Sequence, residues 1–290
     1  MEVRDLLSMK IFVTGSTGFI GSNFVKKVVS KGHHVLGFKR KGSVPRVSIS
    51  SSLVDWIEGD LCGLNLKDHP DCDVFVHFAS YGVVDGCNDW ERCFRHNVFD
   101  LLSILKSSIG SSISKYVIIG SCFEYGRSGS RYEYIPVTAP LEPTTAYGSS
   151  KCSASLMSSS FAIENGLDLV IARPFHVYGD GEDPRRFYPQ LISRSLSGED
   201  LEMTGGDQIR DFQHVDECCD QILRLIDHDG PRSCPRIYNL GSGRPQSLRD
   251  FALDQWDKNK SNGKVNFGKI PYRKNEVFRY VPEVNLPFDL

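Results

Sequence analysis

The sequence lacks the features that mark membrane-spanning, secreted and nucleic-acid-binding proteins. Its 290 residues contain no run of about 18 apolar residues, so we predict no membrane span. The first residues include Glu2 and Asp5 and no apolar segment of a signal peptide, so we expect a cytoplasmic protein. The 34 Lys and Arg nearly balance the 36 Asp and Glu. The resulting net charge of −2 provides no positive field to hold a nucleic acid.

Cysteine is present, but its spacing does not suggest disulfides or a metal site. The nine cysteines are odd in number, and none is spaced as C-x-x-C. His214 and Cys218 are four residues apart and could meet on a helix, but no third ligand accompanies them. We therefore predict reduced thiols and no bound metal.

Short apolar stretches alternate with helical patterns through the first 174 residues. Strands are predicted at 10–14, 35–38, 53–57, 74–79, 116–119 and 167–172. Helices are predicted at 18–31, 89–108 and 147–165. Such alternation predicts an α/β fold with a doubly wound parallel sheet, the Rossmann arrangement.

The pattern changes after Pro174. Gly, Asp and Pro cluster at 179–184, followed by a helical stretch at 188–196, short segments and one buried strand at 237–240. We interpret this part as a small C-terminal α/β cap that binds substrate. The predicted domains are 1–174 for dinucleotide binding, with 211–262 partly returning to it, and 175–210 with 263–290 for the cap.

A glycine-rich turn joins the first strand to the first helix. Gly15, Gly18 and Gly21 have the spacing at which a tight turn, a close backbone approach and helix–strand packing are needed to bind a pyrophosphate. Thr17, Phe19 and Ile20 lie within this turn and complete the predicted contacts.

The residues after the second strand favour NADP. An NAD site normally has an Asp or Glu about 20 residues beyond the glycines, bound to the ribose 2′-hydroxyl. Here the segment reads Phe-Lys-Arg-Lys at 38–41, and Lys39 and Arg40 suit a 2′-phosphate. NADPH is the favoured cofactor, and NAD is retained as the alternative.

Tyr147 and Lys151 form the candidate catalytic pair. A spacing of four places them on one helix face, about 5–6 Å apart at Cβ. A nearby ammonium is expected to lower the pKa of the tyrosine, so that Tyr147 exchanges a proton with a carbonyl or alcohol.

Taken together, these motifs resemble the extended short-chain dehydrogenases/reductases, the NAD-dependent epimerase/dehydratase family. The resemblance rests on the segments 15–21, 58–61, 77–80, 120–126 and 173–179, on Asn97, and on the Tyr147–Lys151 pair. It implies catalytic roles for Ser121, Tyr147 and Lys151. The implied cofactor contacts, besides the glycine turn, are Lys39, Arg40, Asp60, Leu61, Phe78, Ala79, Ser80, Asn97, Tyr147, Lys151 and Pro174.

Two later segments, 205–216 and 267–276, resemble the sugar-nucleotide branch of this family. The pattern is similar to CDP-abequose and CDP-paratose synthases, which reduce a 4-keto group with NADPH. The resemblance implies that Arg210 and Arg273 hold the diphosphate of a nucleotide sugar. The further implied substrate contacts are Tyr81, Cys122, Phe123, His176 and Glu276. A homodimer through the helices at 89–108 and 147–165 is also implied.

Three reactions are compatible with the resemblance, and we favour the 4-ketoreductase. A 4,6-dehydratase usually carries Asp-Glu directly after its catalytic Thr, where this chain has Cys122 and Phe123. Glu124 follows one residue later and is predicted to point away if its segment is extended. A 4-epimerase retains NAD, which fits poorly with Lys39 and Arg40. A non-catalytic NADP-binding sensor or scaffold is the remaining alternative.

Overall fold

A seven-stranded parallel sheet forms the centre of the protein, in a computed structural model that describes residues 8–69, 71–83, 88–228, 234–274 and 276–288. From one edge to the other, the strands are β3 (Val54–Glu58), β2 (His34–Lys39), β1 (Lys10–Thr14), β4 (Val74–His77), β5 (Lys115–Ile119), β6 (Leu169–Pro174) and β11 (Arg236–Leu240). This order reverses direction between β1 and β4, where doubly wound sheets bind their ligands. The predicted doubly wound parallel sheet is confirmed.

Helices cover both faces of the sheet. Alternate residues of a strand face opposite sides, so Ile11 and Val13 pack on one face and Phe12 on the other. The first face is covered by α1 (Phe19–Ser30) and α6 (Val215–Asp227). The second face is covered by α3 (Asp100–Ser107) and α4 (Ala146–Asn165), and α2 (Trp90–Phe94) packs against α4. Both faces are therefore buried, as the apolar strands predict.

The helix predicted over 89–108 is interrupted. A single π-helical turn, Arg95–Phe99, separates α2 from α3. Such turns occur frequently at functional sites, because they displace one residue from the regular helical position. Here the displaced segment contains Asn97.

A second core lies in the C-terminal part of the chain. It is built from α5 (Phe187–Ser197) and α7 (Leu248–Lys258), with Leu191, Met203 and Phe251 buried between them. The remaining short strands are β7 (Val177–Tyr178), β8 (Leu201–Glu202), β9 (Ile209–Asp211), β10 (Gln213–His214), β12 (Pro245–Ser247), β13 (Val265–Asn266) and β14 (Arg279–Tyr280). The sequence interpretation left α6 and α7 as short segments and missed both helices.

Cys87 lies outside the described residues, and the other eight cysteines are free thiols. Among the helices that the structure describes, none combines the length and apolar character needed to cross a bilayer.

Candidate active site

The glycine turn after β1 enters α1 directly and lies against the end of β4. Gly15 has a φ of +66°, and a Cβ added to it would lie 2.5 Å from the backbone nitrogen of Ala79. A Cβ on Gly21 would lie 2.2 Å from the Gly15 carbonyl oxygen. Gly18 caps α1 without a side-chain hydrogen bond, and no acidic residue lies in the first turn. The first amides of α1, from Phe19 onward, therefore suit an anion such as a pyrophosphate.

The basic segment after β2 is held by a carboxylate that the sequence interpretation overlooked. The register of β2 and β3 places Lys39 opposite Glu58, and Lys39 Nζ lies 3.0 Å from Glu58 Oε1. The same ammonium donates to the Ser43 carbonyl oxygen at 3.1 Å, and Ser43 Oγ hydrogen-bonds Thr17 Oγ1 at 2.7 Å. Lys39 thus ties its segment to the glycine turn, whereas Arg40 is exposed.

A cavity of about 360 Å³ opens at this edge of the sheet. Phe38, Glu58 and Asp60 line part of its wall. Leu61, implied together with Asp60 as a cofactor contact, packs against the core beneath α3. The structure therefore places Asp60, but not Leu61, at the cavity.

Asn97 connects the end of β4 to α4. Its Oδ1 accepts a hydrogen bond from Tyr81 N at 2.8 Å, and its Nδ2 donates to Tyr81 O at 3.0 Å and to Ser150 Oγ at 2.8 Å. Ser80 Oγ approaches the same Oδ1 at 3.4 Å. The Phe78 ring packs against Phe24 of α1, with 5.2 Å between ring centroids. The Asn97 side chain is therefore used to position protein groups rather than to face a cofactor directly.

The fold brings Ser121 and Tyr147, two of the implied catalytic residues, together. Ser121 follows β5, and its Oγ accepts a hydrogen bond from Phe123 N at 3.2 Å, capping a 3₁₀ turn, Cys122–Glu124. Thr145 caps α4 by accepting from Gly148 N at 3.0 Å, which places Tyr147 in the first turn. The Tyr147 hydroxyl interacts with the side chains of Ser121 and Ser80. Three hydroxyls thus meet at the carboxyl end of the sheet.

The expected lowering of the Tyr147 pKa by Lys151 is wrong. Burial of the hydroxyl raises the pKa of Tyr147 to about 12, and hydrogen bonding to Ser121 and Ser80 opposes that rise only in part. Lys151 Nζ is buried and donates to the Ile119 carbonyl oxygen. Burial lowers the pKa of Lys151 to about 8, while the negative charge of Glu124 opposes this shift. Tyr147 is therefore a protonated group at neutral pH.

The residues after Ser121 offer no exposed acid or base. Cys122 is buried, and burial raises the pKa of its thiol to about 12. Phe123 is exposed, and its ring meets the Tyr147 ring edge-on, with 6.0 Å between centroids. The segment expected to be extended is a 3₁₀ turn, and the Glu124 carboxylate is fully buried beneath Ser121, where it accepts a hydrogen bond from Ser121 N.

His176 follows Pro174, the last residue of β6, with an unusual backbone. Its φ is +29°, although it is not a glycine, and its buried Nδ1 has no hydrogen-bond partner among the described residues. Burial lowers the pKa of His176 to about 3, and the charges of Arg210 and Arg186 add to the shift. The imidazole is therefore neutral and is available to bond a ligand group.

Arg210 and Glu276, both implied substrate contacts, lie together in the structure. Arg210 donates to the carbonyl oxygens of Ile209 and Val277, at 2.9 and 2.6 Å, and its guanidinium lies 3.5 Å from Glu276 Oε1. These contacts fix the cation near His176 and Cys122, on whose pKa values its charge acts.

Of two further arginines, the sequence analysis predicted Arg273 as a site residue and missed Arg186. Arg273 was predicted to hold the diphosphate, and the structure places it on the surface, where Glu276 N donates to its carbonyl oxygen at 3.1 Å. Arg186 was missed, although its charge also acts on His176 and Cys122. No motif marks Arg186; only its place after the Gly, Asp and Pro cluster is unusual.

Known proteins resemble this chain in sequence and in fold. The dTDP-glucose 4,6-dehydratase of Streptomyces antibioticus is 27% identical over 263 residues, which cover 84% of this chain and 75% of that protein. A UDP-N-acetylglucosamine 4-epimerase from Methanobrevibacter ruminantium M1, solved with UDP-N-acetylmuramic acid, superposes with a TM-score of 0.86 at 23% identity, over 97% of this chain and 91% of that chain. MoeE5, solved with UDP-glucuronic acid and NAD, gives a TM-score of 0.80 at 24% identity, over 95% and 90% of the chains.

One protein-family model matches most of the sequence. The model of the NAD dependent epimerase/dehydratase family matches residues 11–241. Since this match spans well over half of the chain and includes the glycine turn, Ser121, Tyr147 and Lys151, the protein belongs to the NAD-dependent epimerase/dehydratase family.

Proposed function

We propose that the protein reduces the 4-keto group of a nucleotide-linked 6-deoxyhexose with NADPH. The observation that supports this reaction best is an intact hydroxyl cluster in which Cys122 and Phe123, and not an acid/base pair, directly follow Ser121. Ser121 and Tyr147 meet where a carbonyl oxygen can be protonated. Cys122, buried and held protonated, and the apolar Phe123 cannot eliminate water in the way the Asp-Glu pair of a dehydratase can.

The residues at the glycine turn fit a dinucleotide. A pyrophosphate suits the start of α1, which has no side-chain cap, and the close packing around Gly15 and Gly21. The cavity lined in part by Asp60 lies where an adenosine would extend from that pyrophosphate. Arg40, exposed beside the tethered Lys39, is the residue proposed to bind a 2′-phosphate. When bound, NADPH supplies the hydride that the reduction consumes.

The chain itself supplies the proton and the orientation. The Tyr147 hydroxyl, protonated at neutral pH, donates its proton to the oxygen on C4 as that oxygen becomes an alkoxide. Ser121 Oγ–H donates a hydrogen bond to the same oxygen and stabilises its growing charge. Lys151 lies one turn further along α4, on the same helix face as Tyr147, and is proposed to hold the nicotinamide ribose.

Substrate binding away from C4 is assigned to the fixed cations. Arg210, held by two carbonyl oxygens, and Arg186 present positive charge near His176, and we assign the diphosphate to them, with the surface residue Arg273 as a third contact. Binding energy obtained there orients the sugar at Tyr147.

A second candidate function is an NAD-dependent 4-epimerase. One observation favours it: Lys39 is paired with Glu58, so a carboxylate does lie beside the segment where an NAD-binding protein places one. The hydrogen bond from Lys39 lowers the pKa of Glu58, so this carboxylate is ionised at neutral pH.

A direct spectrophotometric assay of NADPH consumption distinguishes the two functions. The purified protein is mixed with NADPH and a panel of 4-keto-6-deoxy sugars linked to CDP, dTDP, GDP or UDP, and the nicotinamide absorbance is followed. A reductase consumes one NADPH for each sugar reduced. Interconversion of C4 epimers with NAD and no net NADPH consumption would instead establish the epimerase.

Arg40→Ala should weaken NADP⁺ binding by about 10- to 100-fold and leave NAD⁺ binding unchanged, because a charge-assisted bond to the 2′-phosphate is lost. The dissociation constants of both nucleotides would be measured by fluorescence titration, with Trp56, 5.9 Å from Lys39 Nζ, as an intrinsic reporter. Lys41→Ala, at the next exposed cation, is the matched control. An equal loss for both nucleotides would contradict the assignment.

An exposed apolar surface on the helical layer that covers the second face of the sheet supports the homodimer. Leu156 and Ile163 lie seven residues apart on one side of α4, with 57% and 61% of their surface exposed. Trp90 of α2 and Phe99 of the neighbouring π turn are exposed as well. Apolar groups clustered in this way commonly form an interface, and we propose that a second copy of the chain covers them.

The double variant Leu156→Asp/Ile163→Asp is expected to be monomeric, because charge on this surface cannot be buried between two copies. Its mass would be compared with that of the wild type by light scattering. Leu196→Asp, a change on α5 at a side chain that is 69% exposed, is the control and should keep the wild-type mass. A monomeric wild type, or an unchanged double variant, would refute the interface.

A further inference from the structure

A fully buried ion pair lies directly beneath the hydroxyl cluster. Glu124 is 0% exposed and Arg173 is 2% exposed, and Glu124 Oε2 accepts a hydrogen bond from Arg173 Nε at 2.9 Å. We propose that Glu124 is a positioning residue, whose carboxylate fixes Ser121 in place and keeps the buried Lys151 ammonium charged. This inference rests on the proposed function, in which Ser121 and Lys151 serve the reduction.

The first part of the argument is the geometry around Ser121. Glu124 Oε1 accepts from Ser121 N at 2.8 Å, while Ser121 Oγ accepts from Phe123 N at 3.2 Å. This reciprocal capping box holds the Ser121 backbone and side chain from both sides of the 3₁₀ turn. The position of the Ser121 hydroxyl therefore depends on where the Glu124 carboxylate lies.

The second step is how the carboxylate itself is held. Its partner, the Arg173 guanidinium, donates to it through Nε. The same guanidinium is anchored through Nη1, which donates to Tyr125 Oη at 2.9 Å. Tyr125 in turn donates to Asn239 Oδ1 on β11 at 2.7 Å. Burial raises the pKa of Glu124, and the Arg173 charge and the Ser121 N–H oppose that rise. Both carboxylate oxygens accept from N–H donors, an arrangement that matches the ionised form.

The third step concerns the charge of Lys151. Its ammonium donates to the carbonyl oxygen of Ile119, two residues before Ser121. The titratable or charged groups around it are Glu124 on the 3₁₀ turn, His77 at the end of β4, Tyr147 on its own helix, and Arg173 across Glu124.

Glu124 is the anion in this group. Burial lowers the pKa of His77 to about 3 and leaves that ring neutral, and Tyr147 is protonated. Among the described residues, Glu124 is the group whose charge raises the pKa of Lys151, against the burial that lowers it to about 8. Without that anion, the buried ammonium would lose its proton at a lower pH.

Stability alone does not account for this pair. Burying two charges removes both from water, and well-packed apolar residues of the same volume often serve a core equally well. An apolar residue at position 124, however, could neither accept the Ser121 N–H nor favour the Lys151 ammonium. The hydrogen bond to Ser121 N and the negative charge that acts on Lys151 are what Glu124 adds.

Glu124→Gln separates the two roles, because the amide oxygen can still accept from Ser121 N while the charge is removed. The pKa of Lys151 would be measured in the ligand-free protein by ¹³C NMR of labelled lysine Cε, with the signal assigned by its loss in Lys151→Arg. We expect this pKa to fall by about one unit or more in Glu124→Gln. An unchanged pKa would overturn the proposal, whether or not a substrate has been found.

The pH profile of NADPH consumption gives the second measurement. If charged Lys151 is the active form, activity is lost as the pH rises through its pKa, so the alkaline limb of Glu124→Gln should move to lower pH by the same amount. The two proteins should then differ most near pH 8 and converge toward pH 6. If the wild type consumes no NADPH with any 4-keto sugar, the proposed function fails, and the NMR titration still tests Glu124.

Two further variants control for the loss of a buried ion pair. Asp168→Asn breaks another buried pair, between Asp168, just before β6, and Arg236, at the start of β11; this pair lies away from Ser121, so the variant should leave both the Lys151 pKa and the pH profile unchanged. If Glu124→Gln does not fold, Glu124→Gln/Arg173→Gln removes both charges together, and the Lys151 pKa should still fall, although the loss of the Arg173 cation opposes part of the fall. A Glu124→Gln profile equal to that of Asp168→Asn would leave Glu124 a structural role only, against the proposal.

Discussion

Tyr147→Phe is expected to reduce the rate of keto reduction by about 10²- to 10⁴-fold, the usual contribution of a positioned proton donor. The phenyl ring keeps the contact with Phe123 and leaves the start of α4 intact, so only the proton is lost. Because the Tyr147 pKa is raised to about 12, the wild-type residue is protonated throughout the neutral range, and the defect should persist at every pH from 6 to about 9.

The measurement combines turnover with cofactor affinity. NADPH consumption with the accepted 4-keto sugar would be compared with the dissociation constant of NADPH, which should be close to that of the wild type. Tyr188→Phe, which removes a phenolic hydroxyl from α5 beside the second core, is the matched control and should retain full turnover. Near-normal turnover of Tyr147→Phe would disprove its role as proton donor.

The local pattern of the sequence was sufficient for the central sheet. Apolar stretches bounded by Gly and polar residues predicted all seven strands within a few residues, because strands buried on both faces need continuous apolar character. α4 begins after Thr145, which caps it, and was predicted to within one residue at its start. The glycine turn is also local, since its three glycines are needed within one strand–turn–helix unit.

The two missed helices carry a readable signal. In α6, Val215, Cys218, Cys219, Ile222 and Ile226 are buried at helical spacing. Its cap is His214, which accepts a hydrogen bond from Asp216 N at 3.3 Å, and histidine is not among the residues that usually mark a helix start. A periodicity count over 215–227 would have identified the helix despite its cap.

What the sequence could not predict depends on contacts between distant segments. Glu58 reaches Lys39 only through the register of β2 and β3, and Glu124 meets Arg173 only because β5 and β6 are neighbours. The raised pKa of Tyr147 has the same origin. A spacing of four places Lys151 on the same helix face, but the burial that dominates this pKa comes from segments brought together by the fold.

Gly15→Ala is expected to lower the free energy of unfolding by about 2–4 kcal/mol and to abolish measurable binding of NADPH. Two costs combine at this residue. Its φ of +66° is unfavourable for any residue with a Cβ, and the added methyl group would meet the backbone of Phe78 and Ala79 at 2.5–2.8 Å. Since the contact is with backbone, relief requires the glycine turn to move away from β4, which displaces the start of α1.

Gly32→Ala isolates the first of these costs. Gly32 has a φ of +87°, but a Cβ there would meet no atom within 4 Å, so this variant should lose only about 1 kcal/mol and keep its NADPH affinity. Urea unfolding of both variants and titration with NADPH provide the comparison. The difference between the two variants in free energy of unfolding measures the cost of the close contact between the glycine turn and β4. Equal destabilisation would show that the packing around Gly15 relaxes without a loss of stability. If Gly15→Ala loses NADPH binding and Gly32→Ala keeps it, the dinucleotide binds at the glycine turn before α1. Both substitutions introduce the same backbone strain, but each displaces a different turn.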